Sequence, residues 1–311
     1  MGSKRFLTFL AVITGLAAIA GLVGLLSIRA DPRTGERNRN RTSHVSPFLK
    51  RPVELGIVTF NIQDLYLASQ YRRPRMAAIA KVLCELRPDI VGLQEAFISA
   101  DRDLLLRGLA GCGLTHSHYF TGGVVGSGQL IVSRFPIEET RFRLYSVACP
   151  WYRLEQGDWW AGKGVGLARI RLSEENGVLD FYGTHLQARY TEGGYLAERK
   201  TQLGEMKRFV AKTALEGAPA VLVGDFNTML GSRELSEALP ETEFRRLMTI
   251  PSRIDHIYGK EDSRYGYEVL ESREIRKMIP LSNGKSTPLS DHPGYMSRIR
   301  IAPRIDPQPH R

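Results

Sequence analysis

The chain has 311 residues, of which 42% are hydrophobic and 24% charged, the proportions of a globular protein. This composition excludes a disordered chain, a collagen-like fibre and a polytopic membrane protein; Cys84, Cys112 and Cys149 are too few for a disulfide scaffold and lack the close spacing of a zinc site. The net charge of +10 is uneven: residues 1–51 carry 9 basic and 2 acidic residues, the rest of the chain 34 and 31, so the charge says little for a nucleic-acid partner.

Lys4 and Arg5 precede an uncharged apolar run over residues 6–28, which is long enough to span a bilayer and longer than the core of most cleavable signals. It reads as a single-pass transmembrane anchor, with a signal sequence as the alternative. Lys4 and Arg5 put the rest of the chain outside the cytoplasm, or secreted if the segment is cleaved. Arg29, Arg33, Arg37, Arg39 and Arg41 argue for the reverse orientation or for contact with anionic headgroups. Residues 29–51 read as a flexible basic linker, 52–303 as one catalytic domain and 304–311 as a tail.

Strand character opens the domain over 53–61. Helical spacing of apolar residues follows over 75–86, stopped by Pro88. Short strands are predicted at 89–94, 129–134, 166–172, 179–185, 218–224, 254–259 and 294–301, and helices at 101–109 and 195–212. Helices separate only some of the strands, so the pattern predicts a mixed α/β fold with largely antiparallel sheets.

Several strands end in polar residues. Asn61 follows Val58-Thr59-Phe60, Gln94-Glu95 follows an apolar run, His185 ends Phe181–Thr184, and Asp225 and Asn227 follow Val221–Val223. Asp255 opens one late strand and Ser290-Asp291-His292 precedes the last. If those ends converge, carboxylates, amides and imidazoles meet at one mouth. Hard oxygen donors without thiolates suit Mg²⁺, or Mn²⁺ in its place, and such an ion with a base for water suits phosphoryl chemistry.

The ordered set Asn61, Gln94-Glu95, Gly224-Asp225-Phe226-Asn227 and Ser290-Asp291-His292 resembles the endonuclease/exonuclease/phosphatase superfamily over roughly 53–302. That resemblance implies a four-layer α/β sandwich of two packed sheets flanked by helices. Within it, Thr184-His185-Leu186-Gln187-Ala188, the following Tyr195–Gln202, Gly126–Arg134 and Lys163-Gly164 are similar to the neutral sphingomyelinases. The resemblance implies that Glu95 binds the metal with help from Asn61 and Asp291. It makes His292 the general base, oriented by Asp255. Asp225 and Asn227 position water and phosphate, and His185 donates to the phosphoryl oxyanion. His256 has no role in the pattern and reads as structural. Lys163 is a phosphate contact or a surface charge.

All three tryptophans fall in Trp151–Trp160. With Tyr152 they suit a lipid–water interface, so Trp151, Tyr152, Trp159 and Trp160 are expected at a membrane; ordinary packing is the alternative. The expected activity is metal-dependent hydrolysis of a phospholipid phosphodiester by direct water attack. A nuclease acting on DNA or RNA is the runner-up, and an inactive lipid- or protein-binding scaffold the remote third. No obligate protein partner is evident. Thr228-Met229-Leu230 and Ser252-Arg253-Ile254-Asp255 depart from the pattern of the inositol polyphosphate 5-phosphatases.

Overall fold

The computed structural model describes the backbone of residues 37–39 and, in full, residues 47–173 and 176–304. The expected anchor at 6–28, most of the linker and residues 305–311 lie outside the described residues. Among the described residues no helix is long and apolar enough to cross a membrane.

Strand β2 (Val53–Asp64) shows how the core forms. Its residues alternate in facing: Leu55 and Ile57 enter one apolar cluster, Val58, Phe60 and Ile62 another. β9 (Ala220–Asp225) does the same, with Val221 and Val223 in the first cluster and Ala220 and Leu222 in a third. A strand buried on both faces must have a layer on each side, so the first cluster fills the space between two sheets. The second lies under helices α1 (Arg72–Leu86) and α2 (Ser99–Ala110), the third under α3 (Leu196–Thr213) and α4 (Arg233–Ala238). The result is helix, sheet, sheet, helix. Gly92 marks how closely the sheets approach: a Cβ there would lie 2.5 Å from Val223 Cγ2.

One sheet has seven strands in the order β1 (Arg37–Arg39), β6 (Ile137–Leu144), β7 (Gly164–Arg171), β8 (Val178–His185), β9, β11 (Asp255–Lys260), β10 (Phe244–Arg246). The other has six, in the order β12 (Tyr265–Ile275), β15 (Gly294–Pro303), β2, β3 (Ile90–Ala96), β5 (Leu130–Ser133), β4 (His116–Tyr119). A hairpin of β13 (Met278–Pro280) and β14 (Ser286–Pro288) stands apart. Only β2–β3 and β8–β9 pair in parallel among the described ladders.

The predicted strands and helices all form, within a few residues at each end. Helix α1 stops at Arg87, whose left-handed φ of 51° precedes Pro88, as the sequence indicated. Strands β6 and β12 were not anticipated, because Glu139 of β6 is a buried charge, and β12 has a register shift between Val269 and Glu271 with Leu270 exposed, so neither alternates cleanly. Strand β1, the backbone of Arg37–Arg39, pairs with β6 inside the span read as linker, and Leu49 is buried in the inter-sheet core ahead of residue 52. Cys84 and Cys112 form a disulfide that fastens the end of α1 to the turn after α2, while Cys149 is free and buried.

Candidate active site

Topology alone brings the polar strand ends together. β2 and β3 run parallel with Asn61 opposite Gln94, and β8 and β9 run parallel with His185 opposite Asp225. Four chain ends therefore open on one edge. The antiparallel neighbours bring their beginnings to the same edge: β11 starts at Asp255 opposite Asp225, β15 starts just after His292, and β7 just after Lys163. Backbone geometry then turns side chains inward. Glu95 and Asn227 both take left-handed φ values, 58° and 47°; Asn tolerates this well, whereas Glu does so at a cost of about 1 kcal/mol.

The floor is a connected network. Asn61 Nδ2 donates to Glu95 Oε1 (3.0 Å) and to Asp225 Oδ2 (3.1 Å), while its Oδ1 accepts from the Gln63 amide (3.1 Å). As oriented, Asn61 therefore clamps two carboxylates together and turns its oxygen to the backbone. Asp225 Oδ1 accepts from the Asn227 amide, and Asn227 Nδ2 donates to Leu186 O, both at 2.9 Å. His292 Nδ1 meets Asp255 Oδ2 at 3.1 Å, and its Nε2 lies 3.8 Å from Asp225 Oδ2. Ser290 Oγ donates to Asn61 O (2.7 Å), which ties the loop bearing His292 to β2. Asp291 is exposed and lines the same cleft as Glu95.

Lys163 is buried and is no surface charge. Its ammonium contacts Asp158 Oδ1 (2.8 Å), Leu186 O (2.8 Å) and His185 Nε2 (3.0 Å). Because Nε2 is the acceptor of that bond, His185 can donate from this nitrogen to a phosphoryl oxygen only when Lys163 releases it. Asp158 is a residue the sequence reading missed. It also takes hydrogen bonds from Gln187 Nε2 (2.7 Å) and the Ala188 amide (2.8 Å), so three donors hold it beneath His185. The only signal in the sequence was its place, with Glu155, as one of two acids inside an aromatic run.

Burial and crowding set the charges. Burial pushes the Glu95 carboxyl up to about 7, with Asp225 and Asp291 adding to the rise against Asn61 and Lys163. Burial likewise raises Asp255 to about 7, reinforced by Asp225. Burial alone would lower His292, but the Asp255 hydrogen bond and the charges of Asp225, Asp255 and Asp291 outweigh it and raise the imidazole to about 10. Burial, then Lys163 and His292, hold His185 well below the ordinary histidine range, so it is neutral at pH 7.

The floor crowds carboxylates together, and Asp225 raises both Glu95 and Asp255. Glu95 and Asp225 share one amide, and Asp255 Oδ1 has no hydrogen-bond partner. Ligand atoms of Asp225, Asp255 and His292 lie within 4.8 Å of one another, close enough to surround a cation. All the donors are oxygen or imidazole nitrogen, so the set fits a divalent ion of the Mg²⁺ kind. His292 Nδ1 is already engaged by Asp255, which leaves Glu95 and its neighbours as the better ligands and the Asp255–His292 pair as a dyad. His256 contacts Ser252 Oγ and Thr228 O and is structural, as read from sequence.

The floor opens into a cleft of about 700 Å³. Its walls include Tyr66, Leu67, Phe97, Val125, Leu154, Trp160 and Tyr190. Trp151 and Tyr152, in the same loop as the lining residue Leu154, are exposed, whereas Trp159 and Trp160 are half-buried, with Trp160 Nε1 bound to Trp151 O (3.0 Å). Tyr66, Leu67 and Tyr190 were not singled out in the sequence, because isolated apolar residues in loops carry no periodicity.

This arrangement has counterparts. A putative neutral sphingomyelinase of Drosophila melanogaster is 31% identical over 276 residues, 80% of this chain and 61% of the relative; the chain thus spans under two thirds of that protein's length. The crystal structure of sphingomyelinase C from Streptomyces griseocarneus superposes with a TM-score of 0.61 at 19% identity, covering 79% of this chain and 99% of that one. D. rerio TDP2 complexed with a single-strand DNA product superposes equally well, with a TM-score of 0.60 at 19% identity over 79% of this chain and 98% of its own. At such identities these structures establish the shared fold only. The Endonuclease/Exonuclease/phosphatase family matches residues 58–292, a span that holds the whole converged set from Asn61 to His292, and this chain belongs to that family.

Proposed function

We propose that the protein is a divalent-metal-dependent phosphodiesterase that hydrolyses the headgroup phosphodiester of a sphingomyelin-like phospholipid at a membrane surface. The chemistry rests on the Asp255–His292 dyad facing Asp225 across the Asn61–Glu95 clamp. The single observation that favours lipid over nucleic acid is the cleft margin. Leu67 and Leu154 line the cleft and are exposed beside a polar floor, and among the described lining residues the one Lys or Arg, Lys163, is spent on Asp158. The likeness to the Drosophila relative points the same way.

Glu95 would hold the cation, assisted by Asn61 and Asp291. Bound there, Mg²⁺ supplies positive charge for the phosphoryl oxygens and offsets the neighbouring carboxylates. With that offset the field on His292 would fall, and the imidazole would be neutral, with Nδ1–H donating to Asp255 and Nε2 free to accept. Its Nε2 then takes a proton from water as the water oxygen attacks phosphorus. The bond from phosphorus to the lipid alcohol oxygen breaks, giving an alcohol and a phosphomonoester without a covalent enzyme intermediate. Asp225 and Asn227 orient the water and phosphate. Lys163, fixed by Asp158, would hold His185 Nε2 until substrate arrives, and His185 would donate to a phosphoryl oxygen once Lys163 releases it.

Trp151, Tyr152, Leu67 and Leu154 would rest in the interface, where an indole or phenol keeps one edge wet. The apolar run at residues 6–28 would keep the enzyme at that surface, and the Cys84–Cys112 disulfide favours an oxidising compartment for the catalytic domain. The test is release of phosphocholine from sphingomyelin vesicles in Mg²⁺. Vesicles left intact by a folded, metal-loaded protein would remove the lipid reading.

A further inference from the structure

Arg75 sits on the inner face of α1 with 2% of its surface exposed, yet it belongs to no part of the mechanism above. Its guanidinium is spent on backbone carbonyls. Nε donates to Leu289 O (2.7 Å), Nη2 to Ile62 O, and Nη1 to Gln63 O (3.2 Å) and, at the limit of hydrogen-bond range, to Gln70 O (3.5 Å). Leu289 stands immediately before Ser290-Asp291-His292, and Ile62 and Gln63 immediately follow Asn61. One planar fork therefore bridges the loop that carries the proposed base and the strand end that carries the metal-side clamp. Asp291, Asp64 and Glu95 are the acidic groups whose fields act on it.

We propose that Arg75 is a positioning residue, which fixes the Leu289–His292 loop against the end of β2 and so sets His292 relative to Asn61 and Glu95. The inference rests on the reading of His292 as base. Ser290, bonded to Asn61 O, is a second tie between the same two segments, and Arg75 locks the loop one residue upstream of it. A lysine keeps the charge but has no planar fork to reach Leu289 O and Ile62 O at once. Misplacement of a reacting group by about 1 Å costs roughly 10²-fold, so loss of this tie should act on turnover more than on binding.

The test uses full-length Arg75→Lys, with Arg75→Met as a harsher companion. Four readouts apply: far-ultraviolet circular dichroism, amide hydrogen exchange, calorimetric Mg²⁺ binding without substrate, and kinetics on bis(p-nitrophenyl) phosphate. We expect Arg75→Lys to keep its spectrum and to exchange about tenfold faster over residues 289–292 while β9 is unchanged. Its Mg²⁺ affinity should weaken, and kcat should fall roughly 10- to 100-fold with KM within about twofold. If Arg75→Met does not fold, Arg75→Lys decides. Wild-type exchange at 289–292 with wild-type kcat would overturn the proposal. So would faster exchange spread evenly through β9, because Arg75 would then be a general stabiliser. If the wild-type protein cleaves no phosphodiester at all, the functional reading fails, and the exchange pattern still decides whether Arg75 holds the loop.

Discussion

The floor and the margin of the cleft invert the usual arrangement of a soluble protein. Asn61, His185, Asp225 and Asp255, all polar, are at most 2% exposed, whereas Leu67 is fully exposed and Leu154 and Tyr152 are 67% and 62% exposed. Burying polar groups is costly unless each finds a partner, and the floor meets most of that cost through one hydrogen-bonded network. Exposing large apolar groups has no such compensation within the chain, and apolar groups around a cleft would suit the docking surface proposed above. On the proposed reading the contrast would separate two tasks: the floor would break the bond and the margin would select the surface on which it is broken.

The division can be tested by damaging each side alone. The largest effect is expected from the floor. His292→Ala should lower kcat by about 10²–10⁴ on vesicles and on a soluble phosphodiester alike, the range for loss of a general base. Asp255→Asn should lose activity on both substrates too, by presenting the wrong tautomer of His292. Parallel kinetics on the two substrates check this; a loss confined to vesicles would misassign both residues.

Damage to the margin should be smaller and one-sided. Replacing Trp151 and Tyr152 by Ala, with Leu67→Ser, should weaken vesicle binding by more than about tenfold and leave soluble turnover unchanged. These are sharper probes than Trp159 and Trp160, which are half-buried. Vesicle sedimentation measures the first effect, and equal losses on both substrates would merge the two regions into one.

The smallest expected effect concerns charge. Burial pushes the Glu95 carboxyl up from its ordinary 4.5 to about 7. Between those values the folded state binds more protons than the unfolded chain, so raising the pH through that window costs stability. A cation at Glu95 competes with the proton. Mg²⁺ affinity should therefore fall as pH drops below about 7, by up to about tenfold per unit, with protons released on binding. Calorimetry in two buffers of different ionisation enthalpy reads this directly; pH-independent affinity with no proton release would place the ion elsewhere.

Much of the floor was legible in the sequence because each residue ends or precedes an apolar strand, and strand direction then dictates convergence. Asn61, His185 and Asp225 needed only the assumption that β2–β3 and β8–β9 are parallel. Strands β6 and β12 were illegible because a buried Glu139 and the irregularity at Val269/Glu271 break their alternation. Asp158 and Arg75 were illegible for another reason: each acts through contacts distant along the chain, with Gln187 and Leu289, that no local spacing encodes. The margin was half legible. Trp151 and Tyr152 stood out by composition, whereas Leu67 gains meaning only when the loop after β2 is seen beside the cleft.

The most direct test of the account is a single assay of the full-length protein on three substrates, each with Mg²⁺ and with EDTA: sphingomyelin vesicles, phosphatidylinositol vesicles and single-stranded DNA. The account predicts phosphocholine release from sphingomyelin in Mg²⁺, none in EDTA, and intact DNA in both. Cleaved DNA beside intact sphingomyelin, or undiminished hydrolysis in EDTA, would contradict it.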